Sequence, residues 1–110
     1  MRKLVVVLSL AAAVGAALPS QAGGATVTAI GFTYLPAAAD GSAGISMTAG
    51  SNLVFSNADL VSHTLTADDG TFDSGVVAKG TSHVFTDIPA GQYTYHCKIH
   101  LWMHGVLVVN

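Results

Sequence analysis

Short runs of β-branched and aromatic residues alternate with turn residues about every ten positions, from residue 25 to the end of the chain. After residue 22, no segment has helical periodicity of useful length. This spacing is typical of an all-β antiparallel sandwich or barrel. The alternation predicts strands at residues 26–30, 45–48, 53–57, 63–67, 70–73, 82–86, 92–97 and 105–109.

The same alternation predicts which side chains face the core. Between two facing sheets we expect Ile30, Phe32, Met47, Leu53, Phe55, Leu65, Phe72, Phe85, Tyr93, Tyr95, Val106 and Val108. Residues 37–44 are small and flexible, and they are predicted to form a surface loop.

The first 22 residues have the pattern of a secretory signal peptide. Arg2 and Lys3 precede an apolar stretch, and the small residues Ser20 and Ala22 are placed for cleavage before Gly23. We therefore expect one domain at residues 23–110, periplasmic or otherwise extracytoplasmic, with no stable membrane insertion after cleavage and most simply a monomer. The apolar stretch is too short and alanine-rich for a confident membrane anchor.

Cleavage would leave two lysines against six aspartates. A nucleic-acid partner is excluded, because binding a phosphate backbone needs clustered Lys and Arg. Small exported domains are often held by disulfides, but this chain has one cysteine, Cys97. We expect the core to hold the fold, with a metal as a second contributor.

Cys97 lies among candidate metal ligands. In YTYHC, alternation places Cys97 on the inner face with Tyr93 and Tyr95, and His96 on the outer face. His63 also faces inward, on the pattern of its aliphatic neighbours. A single inward histidine is more often a hydrogen-bonded core residue than a ligand, and His63 alone would favour that interpretation.

The loop after Cys97 instead favours a metal-binding role for His63. Cys97, His100 and Met103 supply a thiolate, an imidazole and a thioether within seven residues, close enough for a tight turn to bring them to one ion. Inward-facing His63 is the natural fourth donor. Two imidazoles, one thiolate and a weak axial thioether form the ligand set of a blue-copper electron-transfer site. A zinc site would more usually show two or more cysteines or paired histidines.

These residues resemble the cupredoxins, the plastocyanin and azurin superfamily, and are most similar to amicyanin and pseudoazurin-like small blue-copper proteins. The loop CKIHLWM at 97–103 carries the resemblance, with support from FTYLP at 32–36, GSNLVFSNAD at 50–59, PAGQYTYHC at 89–97 and GVLVV at 105–109. One departure is Leu101, where loops of this length in the family commonly have proline.

The resemblance implies a Greek-key β-sandwich of about eight strands with one type 1 copper ion. It implies His63, Cys97 and His100 as the strong ligands and Met103 as the axial ligand. It also implies a hydrogen bond from the Thr64 backbone N–H to the Cys97 sulfur, and a structural role for Asn57 in tying loops together.

On this interpretation the protein is an electron carrier and not an enzyme, shuttling single electrons between a redox donor and acceptor through Cu(II)/Cu(I) cycling. Partners would dock near His100, Leu101 and Trp102. Trp102 could equally serve only to seal the metal from water.

Two other functions fit the sequence less well. A copper-buffering or delivery protein is the main rival, but such proteins usually expose methionine-rich sites, and cleavage would leave only Met47 and Met103. A thiol hydrolase fits poorly, since an inward cysteine at a strand end is hard for a substrate to reach. Within the site, His104 could compete with Met103, and His83 is expected to be structural, opposite Tyr95 across a hairpin.

Overall fold

The computed structural model describes residues 23–36 and 43–110. These residues form eight β-strands and no helix. The predicted signal peptide, residues 1–22, lies outside the described residues. In order the strands are β1 (Ala25–Ile30), β2 (Thr33–Leu35), β3 (Ala43–Met47), β4 (Leu53–Asn57), β5 (Thr66–Ala67), β6 (Ser82–Phe85), β7 (Gly91–His96) and β8 (His104–Val109).

The strands build two four-stranded sheets that face each other. One sheet has the order β2-β1-β4-β6 and the other β3-β8-β7-β5. The pairs β1–β4 and β3–β8 are parallel, and the remaining pairs are antiparallel. The predicted all-β Greek-key sandwich is therefore confirmed. No helix among the described residues has the length and apolar character needed to cross a bilayer.

Six of the predicted strands are present with small shifts at their ends, and 53–57 matches β4 at both ends. The predicted strand at 63–67 is wrong except for β5, because the backbone N–H groups of Thr64 and Leu65 bond to side chains rather than to a neighbouring strand. Thr64 N–H donates to Cys97 Sγ at 3.3 Å, and Leu65 N–H donates to Ser74 Oγ at 2.9 Å. The predicted strand at 70–73 is also wrong, since it makes only a single bridge, between Asp73 and Thr66.

The strand that the sequence did not reveal is β2. It pairs with β1 through a two-residue hairpin turn, Gly31 and Phe32, whose φ angles are 61° and 59°. Positive φ at both positions is the conformation of a type I′ turn, which matches the twist of the flanking strands. Phenylalanine rarely adopts it, so a turn here was not predicted from composition. Of the predicted surface loop at 37–44, residues 37–42 lie outside the described residues, while residues 43 and 44 belong to β3.

Most of the predicted core is buried, but four members are not. Ile30 and Phe32 are each 43 % exposed, and Val106 and Val108 are half-buried because β8 presents its other face to the core. The residues of β8 that face inward are Gly105, Leu107 and Val109. Gly105 pairs with Tyr95, and a Cβ at Gly105 would lie 2.3 Å from the Tyr95 ring.

Asn57, at the end of β4, ties two loop segments together as predicted. Its buried Nδ2 donates to the carbonyls of Val61 and Val77, each at 2.9 Å. Its Oδ1 accepts the Asp59 N–H at 2.9 Å. This fixes the crossover from β4 toward His63, which makes an isolated bridge with Val77.

Candidate metal centre

Three potential ligand atoms meet at one end of the sandwich. The side chains are those of His63, Cys97 and His100, whose ligand atoms all lie within 4.8 Å of one another. Cys97 Sγ is 3.9 Å from His63 Nδ1 and 3.8 Å from His100 Nδ1, and the two Nδ1 atoms are 3.1 Å apart. One imidazole thus arrives from the β4–β5 crossover, while the other two donors come from the segment that links β7 to β8.

His63 is completely buried, and a carboxylate holds its ring. Its Nε2 lies 2.8 Å from Asp59 Oδ2. A carboxylate only accepts hydrogen bonds, so Nε2 carries a proton and Nδ1 is the ring nitrogen left to face the cluster as a ligand atom. The Phe32 N–H and then the His63 ring lower the pKa of Asp59 to about 2, which keeps it ionised.

Cys97 is also fully buried, at the point where β7 ends. Burial acts to raise the pKa of its thiol, but hydrogen bonds to the sulfur, with that from the Thr64 N–H the largest, together outweigh burial and lower the pKa to about 6. The predicted bond from Thr64 N–H to Sγ is present at 3.3 Å. At neutral pH the thiolate, the form that binds metals, therefore predominates.

The turn after Cys97 is closed by backbone hydrogen bonds. Cys97 N–H donates to the Met103 carbonyl at 3.2 Å, and Met103 N–H donates to the His100 carbonyl at 2.9 Å. Lys98 N–H donates to Thr64 Oγ1 at 2.9 Å, which joins this turn to the His63 segment. The Met103 side chain is buried, so the thioether belongs to the interior side of the turn.

The other three histidines lie elsewhere. His83 is half-buried on β6 and pairs with Phe55 of β4, so the expected position opposite Tyr95 is wrong; β6 joins β4 rather than folding back on β7. His96 points away from the core, as predicted, and its Nδ1 bonds to Asp68 Oδ1 at 2.5 Å. His104 is exposed on β8, directly opposite His96.

Aromatic side chains surround the outer edge of His100. Phe32 meets the His100 ring edge-on with centroids 5.0 Å apart, and Trp102 lies 5.3 Å from it. Trp102 is 64 % and Leu101 67 % exposed. We refer to Phe32, Leu101 and Trp102 as the aromatic face.

Asp59 and Phe32 are the site residues that sequence reasoning missed. Phe32 was assigned to the core because it continues the alternation of β1; the positive φ of the turn instead directs it to His100. The sequence does contain a signal for Asp59, since a carboxylate four residues before an inward histidine can reach the histidine ring. That signal was weak, because Asn57 to Asp59 also reads as an ordinary turn.

The donor set fits copper better than zinc. A single thiolate with two imidazoles, beside a buried thioether, is the combination found in blue-copper sites. Structural zinc sites use four strong ligands, and catalytic ones use three plus water. Buried surroundings and a fixed thiolate further suit an ion that stays in place.

The sequence matches no protein-family model and no curated protein sequence, so its relationships come from structure. The novel purple cupredoxin from Nitrosopumilus maritimus superposes with a TM-score of 0.65 at 20 % identity, over 78 % of this chain and 99 % of that one. A reduced point mutant of amicyanin superposes with a TM-score of 0.66 at 22 % identity, over 80 % of this chain and 83 % of that one.

A third similar structure is the copper-containing nitrite reductase NirK from Thermus scotoductus SA-01. Its TM-score is 0.67 at 22 % identity, over 79 % of this chain but only 22 % of that one. The match is therefore to a single portion of a much longer enzyme. The chain has the cupredoxin fold, in a form similar to that of amicyanin.

Proposed function

We propose that this protein is a type 1 copper protein that carries single electrons between redox proteins. The observation that supports this most directly is the convergence of Cys97 Sγ with the Nδ1 atoms of His63 and His100. In the proposed site these three are the strong ligands, and Met103 is the weak axial ligand. A bound copper ion would supply one-electron redox chemistry between Cu(II) and Cu(I).

The protein groups around the donors would limit rearrangement during electron transfer. Asp59 fixes the ring of His63, and Thr64 N–H fixes the Cys97 sulfur. The backbone bond between Cys97 and Met103 holds the two ends of the turn. Donors that are positioned in advance keep the reorganisation on gaining or losing charge small.

A carrier fits this donor set better than an enzyme. Four side-chain ligands would leave no open position at which a substrate could bind the metal, whereas catalytic metal sites keep one. The similarity to a nitrite reductase covers only 22 % of that enzyme. We therefore assign electron transfer, and no catalysis, to this chain.

Electrons would enter and leave through His100. It is the one donor of the three that is half-buried rather than fully buried, and the aromatic face surrounds it. We propose that this face docks a redox partner protein, with the chain acting as a monomer outside the cytoplasm after loss of residues 1–22. Exposed tryptophan beside an uncharged apolar patch is typical of docking surfaces.

Copper loading tests the ligand assignment. Addition of Cu(II) to the metal-free protein should produce an intense absorption band at about 600 nm, from charge transfer between thiolate and copper. Cys97→Ser should abolish the band, while Met103→Gln should retain it with a lower reduction potential. His83→Gln is the matched control and should load like the wild type. A blue Cys97→Ser protein would refute the assignment.

Trp102→Ala tests docking separately. It should leave the visible spectrum unchanged and slow electron exchange with an added redox protein such as a c-type cytochrome. Val76→Ala is the control, because Val76 is similarly exposed, at 70 %, and contributes to neither the donor cluster nor the aromatic face. Equal exchange rates for the Trp102 variant, the control and the wild type would contradict docking there and favour copper buffering or delivery.

A further inference from the structure

Two histidines form a cross-strand pair on the outer surface of the β7–β8 hairpin. His96 and His104 are register partners. Cys97 N–H donates to the Met103 carbonyl, so an inter-strand hydrogen bond of this ladder lies between residues 97 and 103. In an antiparallel ladder the next pair along, His96 and His104, is then a non-hydrogen-bonded pair, the type in which side chains lie closest together.

Asp68 orients one ring of this pair. Its Oδ1 bonds to His96 Nδ1 at 2.5 Å, and its Oδ2 accepts the Thr94 hydroxyl at 2.6 Å. These hydrogen bonds, first from Thr94 and then from His96, lower the pKa of the Asp68 carboxyl. Because a carboxylate cannot donate, His96 Nδ1 carries a proton, which leaves Nε2 as the ring nitrogen available to bind an ion.

This is the arrangement that orients a metal-binding histidine. A ligating imidazole almost always donates its other N–H to a carboxylate, a carbonyl or water, which fixes the tautomer and raises the basicity of the binding nitrogen. His96 has this support without belonging to the donor cluster of Cys97, which faces the core from the opposite side of the strand. His104 is exposed directly opposite His96 on the neighbouring strand, so its ring shares the outer surface of the hairpin with the His96 ring.

We propose that His96 Nε2 and a ring nitrogen of His104 form a second, surface site for a divalent cation of the imidazole-binding class, such as Zn²⁺, Ni²⁺ or Cu²⁺. Two protein nitrogens bind the ion, water completes its coordination, and Asp68 acts through His96 as a positioning residue.

The proposed cation site lies beside the aromatic face. Asp68, Thr94 and His104 line a groove of about 460 Å³ that also includes Phe32 and Trp102 of the aromatic face. A cation held at His96 and His104 would place positive charge beside that face, in a protein whose residues 23–110 carry two lysines against six aspartates. It would favour acidic over basic partners there.

Zn²⁺ titration followed by NMR of the imidazole nitrogens tests the proposal on the whole protein. Zn²⁺ should shift the ring signals of His96 and His104 together and leave those of His83 unmoved. Background binding at the Cys97 cluster is recognised by shifts of His63 and His100, and repeating the titration in Cys97→Ala weakens that background. The measurement does not use copper. A negative Zn²⁺ titration would therefore leave the proposed electron-transfer function standing, and a failure of copper loading would leave the surface site standing.

Variants complete the test. His96→Gln and His104→Gln should each weaken the Zn²⁺ binding seen at the other ring by at least about tenfold, and Asp68→Asn by about tenfold. His83→Gln should have no effect. Zn²⁺ shifts confined to His63 and His100, or an unchanged affinity at His96 in His104→Gln, would overturn the proposal.

Discussion

One carboxylate oxygen joins His63 to Phe32. Asp59 Oδ2 lies 2.8 Å from His63 Nε2 and accepts the Phe32 backbone N–H at 2.9 Å. The same atom therefore orients a buried candidate ligand and holds the β1–β2 turn that carries the aromatic ring against His100. Asp59 is a positioning residue that acts on two parts of the site.

Asp59→Ala should weaken copper binding by about 10–100-fold, because His63 loses the partner that fixes its tautomer. Removal of a negative charge next to a ligand should also raise the reduction potential. Competition with a copper chelator measures the first effect, and voltammetry the second. The tautomer of His63, read from its ring nitrogen signals in the metal-free protein, should become mixed.

Two further variants separate positioning from charge. Asp59→Asn keeps an acceptor oxygen and should restore most of the affinity while retaining the raised potential. Asp69→Ala is the control, since Asp69 caps only its own turn, through Thr71 N–H. The positioning role fails if Asp59→Ala retains one fixed tautomer and wild-type affinity.

Asn57→Ala should destabilise the fold by about 2–4 kcal/mol, because the carbonyls of Val61 and Val77 lose the hydrogen bonds from the buried Asn57 amide and a small cavity replaces that amide. Urea unfolding of the metal-free protein measures the effect. Asn52→Ala is the matched control, because Asn52 is exposed and should change the free energy of unfolding by less than about 0.5 kcal/mol. Equal losses for the two variants would contradict the role given to Asn57.

Gly105→Ala should cost about 1–3 kcal/mol or more, because its new methyl group would overlap the buried Tyr95 ring. Gly44→Ala, in the neighbouring strand β3, meets no atom within 4 Å and should be nearly neutral. Thermal unfolding of both variants distinguishes a steric effect from a general intolerance of strand glycines to substitution. A Gly105→Ala protein as stable as Gly44→Ala would show that Tyr95 can move aside.

Asp73 should contribute to stability in a pH-dependent way. Burial raises the pKa of its carboxyl, but the Lys98 ion pair and the bonds from Gly75 N–H and Thr66 hydroxyl together lower it below 3.8. A lowered folded-state pKa stabilises the fold above the unfolded value, and the stabilisation is lost as pH falls through the folded value.

The stability gap between wild type and Asp73→Asn should therefore be constant near neutral pH and shrink below about pH 4. Urea unfolding at a series of pH values measures the gap, and comparison of the two proteins cancels the titration of the other carboxyls. A gap that persists unchanged at the lowest pH would rule out the ionised carboxylate as its source.

The sequence was most informative where one face of a strand is clearly apolar. Alternation in YTYHC placed Cys97 inward and His96 outward, and both directions are confirmed. It also placed His63 inward, although residues 63–67 are nearly all held by bridges and side-chain bonds rather than by a regular strand. Cys97, His100 and Met103 lie within seven residues, so few backbone conformations are open to the segment that carries their donor atoms.

Alternation failed where the decisive contact is between distant residues. In β8 the valines suggested one inward face, but the Tyr95 ring needs the space at Gly105, so the opposite face is buried. At Phe32, a hydrogen bond to Asp59, 27 residues away, supports a backbone conformation that phenylalanine rarely adopts. The bond between Asp59 and His63 likewise depends on the turn that Asn57 organises.

The two shortest strands lie at sheet edges. β2 has three residues and is followed at once by Pro36, and β5 has two. Unpaired backbone groups along a long flat edge let another molecule extend the sheet, which is the first step of aggregation. Edges this brief offer little template for such growth, so a passing strand finds few backbone groups to pair with along β2, the edge that adjoins the turn carrying Phe32 of the aromatic face.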